Sequence, residues 1–117
     1  MSRSADGFLN IKLTEPNTGG TGTNPEQLFG AAWSACYEAA MGTAARRLHF
    51  TLPQETAIDT EIDLCLVNGE YFLQARLNVS IPGLDKEVGR KITEAAHHIC
   101  PYSKAISGNV KIETNLV

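Results

Sequence analysis

The sequence has little positive charge to spare. Its 117 residues hold 10 Lys and Arg against 13 Asp and Glu, for a formal charge of −3. Such a balance gives a nucleic-acid partner no basic footprint to meet. The opening residues, Met1 to Asp6, contain no apolar export signal. Cysteine is sparse and odd in number, at three. Together these features predict a cytoplasmic protein, where a disulfide is more often catalytic than structural. The run Leu28 to Ala45 has a single charge, Glu38. It is still no membrane span, because much of it is alanine and Glu38 would sit near mid-bilayer. The sequence has no internal repeat, no low-complexity tract and no zinc-ligand spacing. His97, His98 and Cys100 match no metal motif, and both histidines suit a helix C-terminus. No metal and no cofactor are expected.

What is present is organised around one long helix. In Thr23-Asn24-Pro25-Glu26-Gln27-Leu28-Phe29, Asn24 is a good N-cap and Pro25 a good first helical residue. Glu26 puts negative charge at the positive helix end, and Gln27 completes a capping-box-like pattern. The helix is expected to run from about Pro25 to Arg47, apolar nearly all round and so buried on most sides. Arg46 and Arg47 complement its negative pole.

The rest of the chain reads β, α, β, β, α, β. Leu9, Ile11 and Leu13 alternate in a strand over Phe8 to Leu13. Thr14 to Thr23, rich in Gly, Pro and Asn, reads as a mobile loop. A hairpin follows, with Ile58, Thr60, Ile62, Leu64 and Leu66 on one face, an Asn68-Gly69 turn, and Leu73, Ala75, Leu77, Val79 and Ile81 on the return. A second helix is expected from near Asp85 to Cys100-Pro101. A short helix or turn spans Pro101 to Ile106, and a final strand covers Val110 to Leu116. The length predicts one domain, residues 1–117, of α+β class with sheet packed on helices.

Cys36 lies in the middle of the long helix. One reading is a small buried core residue. The other is a reactive thiolate, which needs a cationic neighbour, because Cys36 lies about 15 Å from the helix start at 1.5 Å per residue. Cys100 stands where one helix stops and Pro101 can open another. The amides ahead of it favour a thiolate and the helix end behind it opposes one. Cys65 falls with Asp59, Glu61 and Asp63 on the polar side of its strand and reads as incidental.

Thr23-Asn24-Pro25-Glu26-Gln27-Leu28-Phe29, Ser34-Ala35-Cys36-Tyr37, Cys100-Pro101-Tyr102-Ser103-Lys104-Ala105 and Gly108-Asn109-Val110 resemble the organic hydroperoxide resistance (Ohr) branch of the OsmC/Ohr family. The resemblance runs from Asp6 to Val117. It implies an OsmC/Ohr-like fold and an intertwined homodimer with two active sites at the interface. It implies a thiol peroxidase reducing organic hydroperoxides, with Cys36 peroxidatic, Cys100 resolving and Glu26 an active-site glutamate. It also implies reduction by a lipoyl-type dithiol. Family members begin with a further β-hairpin carrying a Gly-Gly-Arg motif, whose arginine activates the peroxidatic thiolate. That segment is absent here; Arg3 is nearest, and its spacing to Asp6 is too short. The apolar residues near Cys36, including Phe29 and Trp33, are expected to form a pocket suited to fatty or aromatic hydroperoxides. Two rival readings are an inactive relative binding hydrophobic small molecules and a structural dimeric module.

Overall fold

The computed structural model describes residues 2–15 and 20–117. In chain order the elements are β1 (Ser2–Arg3), β2 (Asn10–Ile11), α1 (Pro25–Arg47), β3 (Ala57–Val67), β4 (Glu70–Ser80), α2 (Lys86–Ile99), α3 (Pro101–Ile106) and β5 (Lys111–Leu116). β1 and β2 form a separate antiparallel pair. The other strands make one sheet in the order β3-β4-β5, with β3 antiparallel and β5 parallel to β4.

α1 begins where the capping residues place it. The Asn24 side chain accepts from the Gln27 amide at 2.8 Å. The Gln27 side chain does not close a reciprocal box in the usual way; its carbonyl oxygen takes the Thr23 hydroxyl at 2.6 Å. Asn68 and Gly69 both adopt positive φ, 53° and 78°, as a two-residue turn demands. Asp85 caps α2.

The core lies between the helices and one face of the sheet. Ala75, Leu77, Val79 and Ile81 from β4 and its end meet Trp33, Tyr37, Ala40, Met41, Ala44 and Ala45 of α1, with Ile92 and Ala96 of α2. Gly30 lets α1 approach β3 closely: a Cβ there would lie 3.5 Å from Ile62 and 3.8 Å from Thr60. The opposite sheet face is polar. Arg76 there bonds Glu61 at 2.9 Å and pairs with Asp63 at 3.5 Å.

Two expectations need correction. The strand over Phe8 to Leu13 shrinks to Asn10–Ile11, with an isolated bridge from Leu13 to Thr23. Phe8 and Leu9 are exposed, so alternation found no core to face. The α1 helix is not buried on most sides of this chain: Ala31, Ala32, Ala35 and Ala39 are exposed. Leu64 and Leu66, near the hairpin tip, are exposed as well. Within the proposed mobile loop, residues 16–19 lie outside the described residues.

Candidate active site

The two cysteines singled out from sequence meet. Cys36 sits mid-way along α1, and Cys100 sits at the corner between α2 and α3, where it ends one helix and caps the next. Pro101 forces this corner by disfavouring helical geometry in the residue before it. Cys100 has φ −65° and ψ 118°, which turns the chain so that α3 starts over α1. The two sulfurs lie 3.1 Å apart. Both thiols are free; Cys36 is half-buried and Cys100 is 0% exposed.

Burial is the main influence raising the Cys36 thiol above its ordinary range; the hydrogen bond with Cys100 adds to it, and the Tyr102 amide partly offsets it. None of these influences is a cation. Arg3, the nearest family-like arginine in sequence, lines a surface cavity with Ser4, Ala5, Asp6 and Gly7 that does not include Cys36.

The amide of Ser103, on the first turn of α3, donates to Cys100 Sγ at 3.5 Å. Ser103 is itself anchored. Its Oγ accepts from Trp33 Nε1 at 3.0 Å and lies 3.1 Å from His97 Nδ1. His97 Nε2 lies 2.7 Å from Thr114 Oγ1. The ring of His97 packs on Tyr37 with centroids 4.8 Å apart, and the Tyr37 hydroxyl donates to the Thr93 carbonyl at 2.8 Å. Burial, reinforced by Cys100, pushes the Tyr37 phenol far above its usual range, so it stays a donor. In the sequence His97 fits a helix end and no metal motif, and Ser103 carries no role of its own. The signal was available in the Ser103 that follows Cys100 by three residues, the distance at which a helix amide reaches back to its cap.

Glu26 stands elsewhere in the chain. It is half-buried on the first turn of α1 and opens onto a cavity of about 700 Å³ with Asn24, Gln27, Ser34 and Asp63. Neither cysteine lines that cavity, and no basic side chain does so among the described residues. Trp33 does not form the expected apolar pocket. It is 0% exposed, a core residue 5.6 Å from the Phe29 ring, with its indole N–H committed to Ser103. Cys65 lies in β3 opposite Phe72, its sulfur 4.0 Å from the Asp63 carbonyl. Among the described residues no group of His, Cys, Asp and Glu is placed to hold a metal ion, and no helix is long and apolar enough to cross a membrane.

Comparison with known proteins identifies the family. The family model described as OsmC-like protein matches residues 18–115. An organic hydroperoxide resistance protein of Xanthomonas axonopodis pv. citri is 37% identical over 117 residues, covering 97% of this chain and 82% of the relative. The crystal structure of the organic hydroperoxide resistance protein OhrB of Bacillus subtilis superposes with a TM-score of 0.90 at 35% identity, covering 98% of this chain and 87% of that one. That of an organic hydroperoxide resistance protein from Elizabethkingia anophelis, with crystallant-derived thiocyanate bound, gives 0.84 at 30% identity over 97% and 84%. Sequence and fold together place this α+β chain in the OsmC/Ohr family.

Proposed function

We propose that the chain is a cysteine-based peroxidase that reduces organic hydroperoxides to alcohols. The observation that carries this reading is the pair of sulfurs 3.1 Å apart, one half-exposed and one fully buried. The asymmetry supports a division of roles. A peroxide reaches Cys36 and not Cys100, so Cys36 is the peroxidatic and Cys100 the resolving residue. The Cys36 thiolate attacks the terminal oxygen of ROOH; the O–O bond breaks, and the alkoxide leaves as ROH after taking a proton. Cys36 is then a sulfenic acid. The Cys100 sulfur displaces its hydroxyl as water, forming the Cys36–Cys100 disulfide. The sulfurs need to close only from 3.1 Å to about 2.05 Å. An external dithiol of lipoyl type reduces the disulfide by two exchange steps and leaves oxidised. The names of the relatives supply the substrate class.

The working unit in this reading is a homodimer. Its support is the exposed alanine face of α1, together with Leu64, Leu66, Val67, Tyr71 and Phe72 exposed along the hairpin. Glu26 of one copy would then serve Cys36 of the other. Three free thiols suit the reducing cytoplasm. One observation favours a second reading: among the described residues no cation acts on the Cys36 thiol. A relative weakened in catalysis would bind hydrophobic small molecules or serve as a structural dimer.

Consumption of an organic hydroperoxide in the presence of dihydrolipoamide decides between them. The peroxidase reading expects turnover by the wild-type chain and none by Cys36→Ser. Equal consumption by both, or none by either, overturns it.

A further inference from the structure

Four elements meet in one cluster around Ser103 and His97. Trp33 comes from α1, His97 from α2, Ser103 from α3 and Thr114 from β5. The donor inventory gives this cluster a direction. An indole N–H can only donate, so Ser103 Oγ accepts from Trp33. Ser103 is 3% exposed, and its hydroxyl proton needs a buried acceptor. The partner within reach is His97 Nδ1 at 3.1 Å. His97 must then be neutral, with its proton on Nε2, from which it donates to Thr114 Oγ1 at 2.7 Å. In the chain Trp33 → Ser103 → His97 → Thr114 the hydrogens of the indole, the serine hydroxyl and the imidazole all point in one direction. Hydrogen bonds aligned in this way reinforce one another in a low-dielectric interior. No buried side-chain nitrogen or oxygen among the described residues lacks a partner. The opposite polarity, with Nδ1–H aimed at Ser103, would leave the buried serine proton without an acceptor.

We infer that His97 is a positioning residue for the thiol chemistry: through Ser103 it fixes the start of α3, and with it the Cys100 sulfur, against Cys36. The inference rests on Cys100 being the partner of Cys36 in the proposed reaction. It goes beyond that reading by giving His97, Ser103, Trp33 and Thr114 a common task. The mechanical link is short. The residue whose hydroxyl is held by Trp33 and His97 is the one whose amide donates to Cys100 Sγ at 3.5 Å. Its neighbour Tyr102 supplies the amide that acts on Cys36. A shift of α3 therefore moves both sulfur contacts together. His97 touches neither sulfur, so its effect is exerted through Ser103.

The test measures closure of the Cys36–Cys100 disulfide by diamide, a two-electron thiol oxidant that is itself reduced to the hydrazine, followed by acid quench and thiol alkylation. This needs no hydroperoxide, so its outcome is separate from that of the peroxidase assay. Ser103→Ala and His97→Phe are each expected to slow closure at least about tenfold, since a misplacement near 1 Å can cost about a hundredfold. Ser103→Thr, which keeps the hydroxyl, is expected to recover most of the rate. His97→Phe keeps a ring against Tyr37 and so provides a second, independent variant beside Ser103→Ala. In the wild-type protein, nitrogen NMR is expected to find His97 in the Nε2–H tautomer. The indole N–H signal of the only Trp is expected to move in His97→Phe. Closure at the wild-type rate in folded His97→Phe, an Nδ1–H tautomer, or no disulfide in the wild type would each overturn the inference.

Discussion

Cys36 and Cys100 are 64 positions apart in sequence and 3.1 Å apart at sulfur. Neither helix alone could achieve this. α1 carries Cys36 to the edge of the core, and the Pro101 corner aims Cys100 back at it. Burying Cys100 while leaving Cys36 half-buried makes the pair unequal, and unequal cysteines respond differently to removal.

Cys36→Ser is expected to remove hydroperoxide consumption. Cys100→Ser is expected to retain the first oxidation and to stop at a sulfenic acid on Cys36, which dimedone labelling followed by peptide mass spectrometry would detect. Dimedone on Cys100 in the Cys36→Ser chain, at a similar rate, would reverse the assignment.

The second prediction concerns ionisation. Burial raises the Cys36 thiol, and Cys100 raises it further by its hydrogen bond and its charge. Cys100→Ala removes those two contributions, so Cys36 ionises at lower pH in that variant. Alkylation by iodoacetamide near neutral pH should accelerate in Cys100→Ala, with the midpoint of the rate-against-pH curve moved down. A midpoint unchanged or moved up would show that Cys100 does not suppress the thiolate.

Much of this arrangement was legible in the chain itself. The bounds of α1, the Asn68-Gly69 turn and the break at Pro101 follow from local backbone chemistry, which operates whatever the rest of the fold does. The strand over Phe8 to Leu13 was not legible, because alternation signals a strand only where a core exists for one face. Trp33 was misjudged for a related reason. An aromatic residue near a cysteine looks the same in sequence whether it lines a pocket or fills the core, and here its N–H is bonded to Ser103. The His97 cluster joins residues from α1, α2, α3 and β5, and no periodicity reports such long-range pairings.

His97 makes stability depend on pH. Burial, and secondarily His98, hold its imidazole below the ordinary value of 6.5. Unfolding restores that ordinary value, so the unfolded chain binds more protons between the two, and stability rises with pH across that window. The contribution is complete above pH 6.5 and is lost as the pH falls through the lower, folded-state value. Melting temperature should fall on acidification through this range, and fall less in His97→Phe. Glu61, held low by Arg76 and Asn78, loses its own contribution only below its usual 4.5, so the two effects separate on the pH axis. Parallel curves for wild type and His97→Phe would count against a buried neutral histidine.

Assembly is the fourth prediction. A second copy covering the exposed alanines of α1 should bury more than about 2,000 Å² in total, as obligate interfaces do. Sedimentation at micromolar concentration should show a dimer. Ala35→Lys, which sets a charge on that face, should shift it toward monomer. A wild-type monomer, or an Ala35→Lys dimer of undiminished affinity, would remove this face from the interface.

Glu26 supplies the last prediction. It and Cys36 are ten residues apart on α1, which is about 15 Å along the axis, so one helix cannot bring them together. A two-fold arrangement can, by setting Glu26 of one copy near Cys36 of the other. A bare carboxylate beside sulfur would raise the thiol still further, so the useful role for Glu26 is to orient a cation. Its cavity leaves room for that role: Asp63 shares it but already pairs with Arg76 at 3.5 Å, and no basic residue among those described lines the cavity beside Glu26. Glu26 also sits at the positive end of α1, where its charge is worth about 0.3–1 kcal/mol to the helix alone. Glu26→Gln separates the two roles. If Glu26 orients charge at the reacting sulfur, hydroperoxide turnover should fall on the order of 10²-fold, the usual cost of one misplaced electrostatic group. The melting temperature should change little. Turnover that is untouched while the melting temperature drops would make Glu26 a helix-end charge and nothing more.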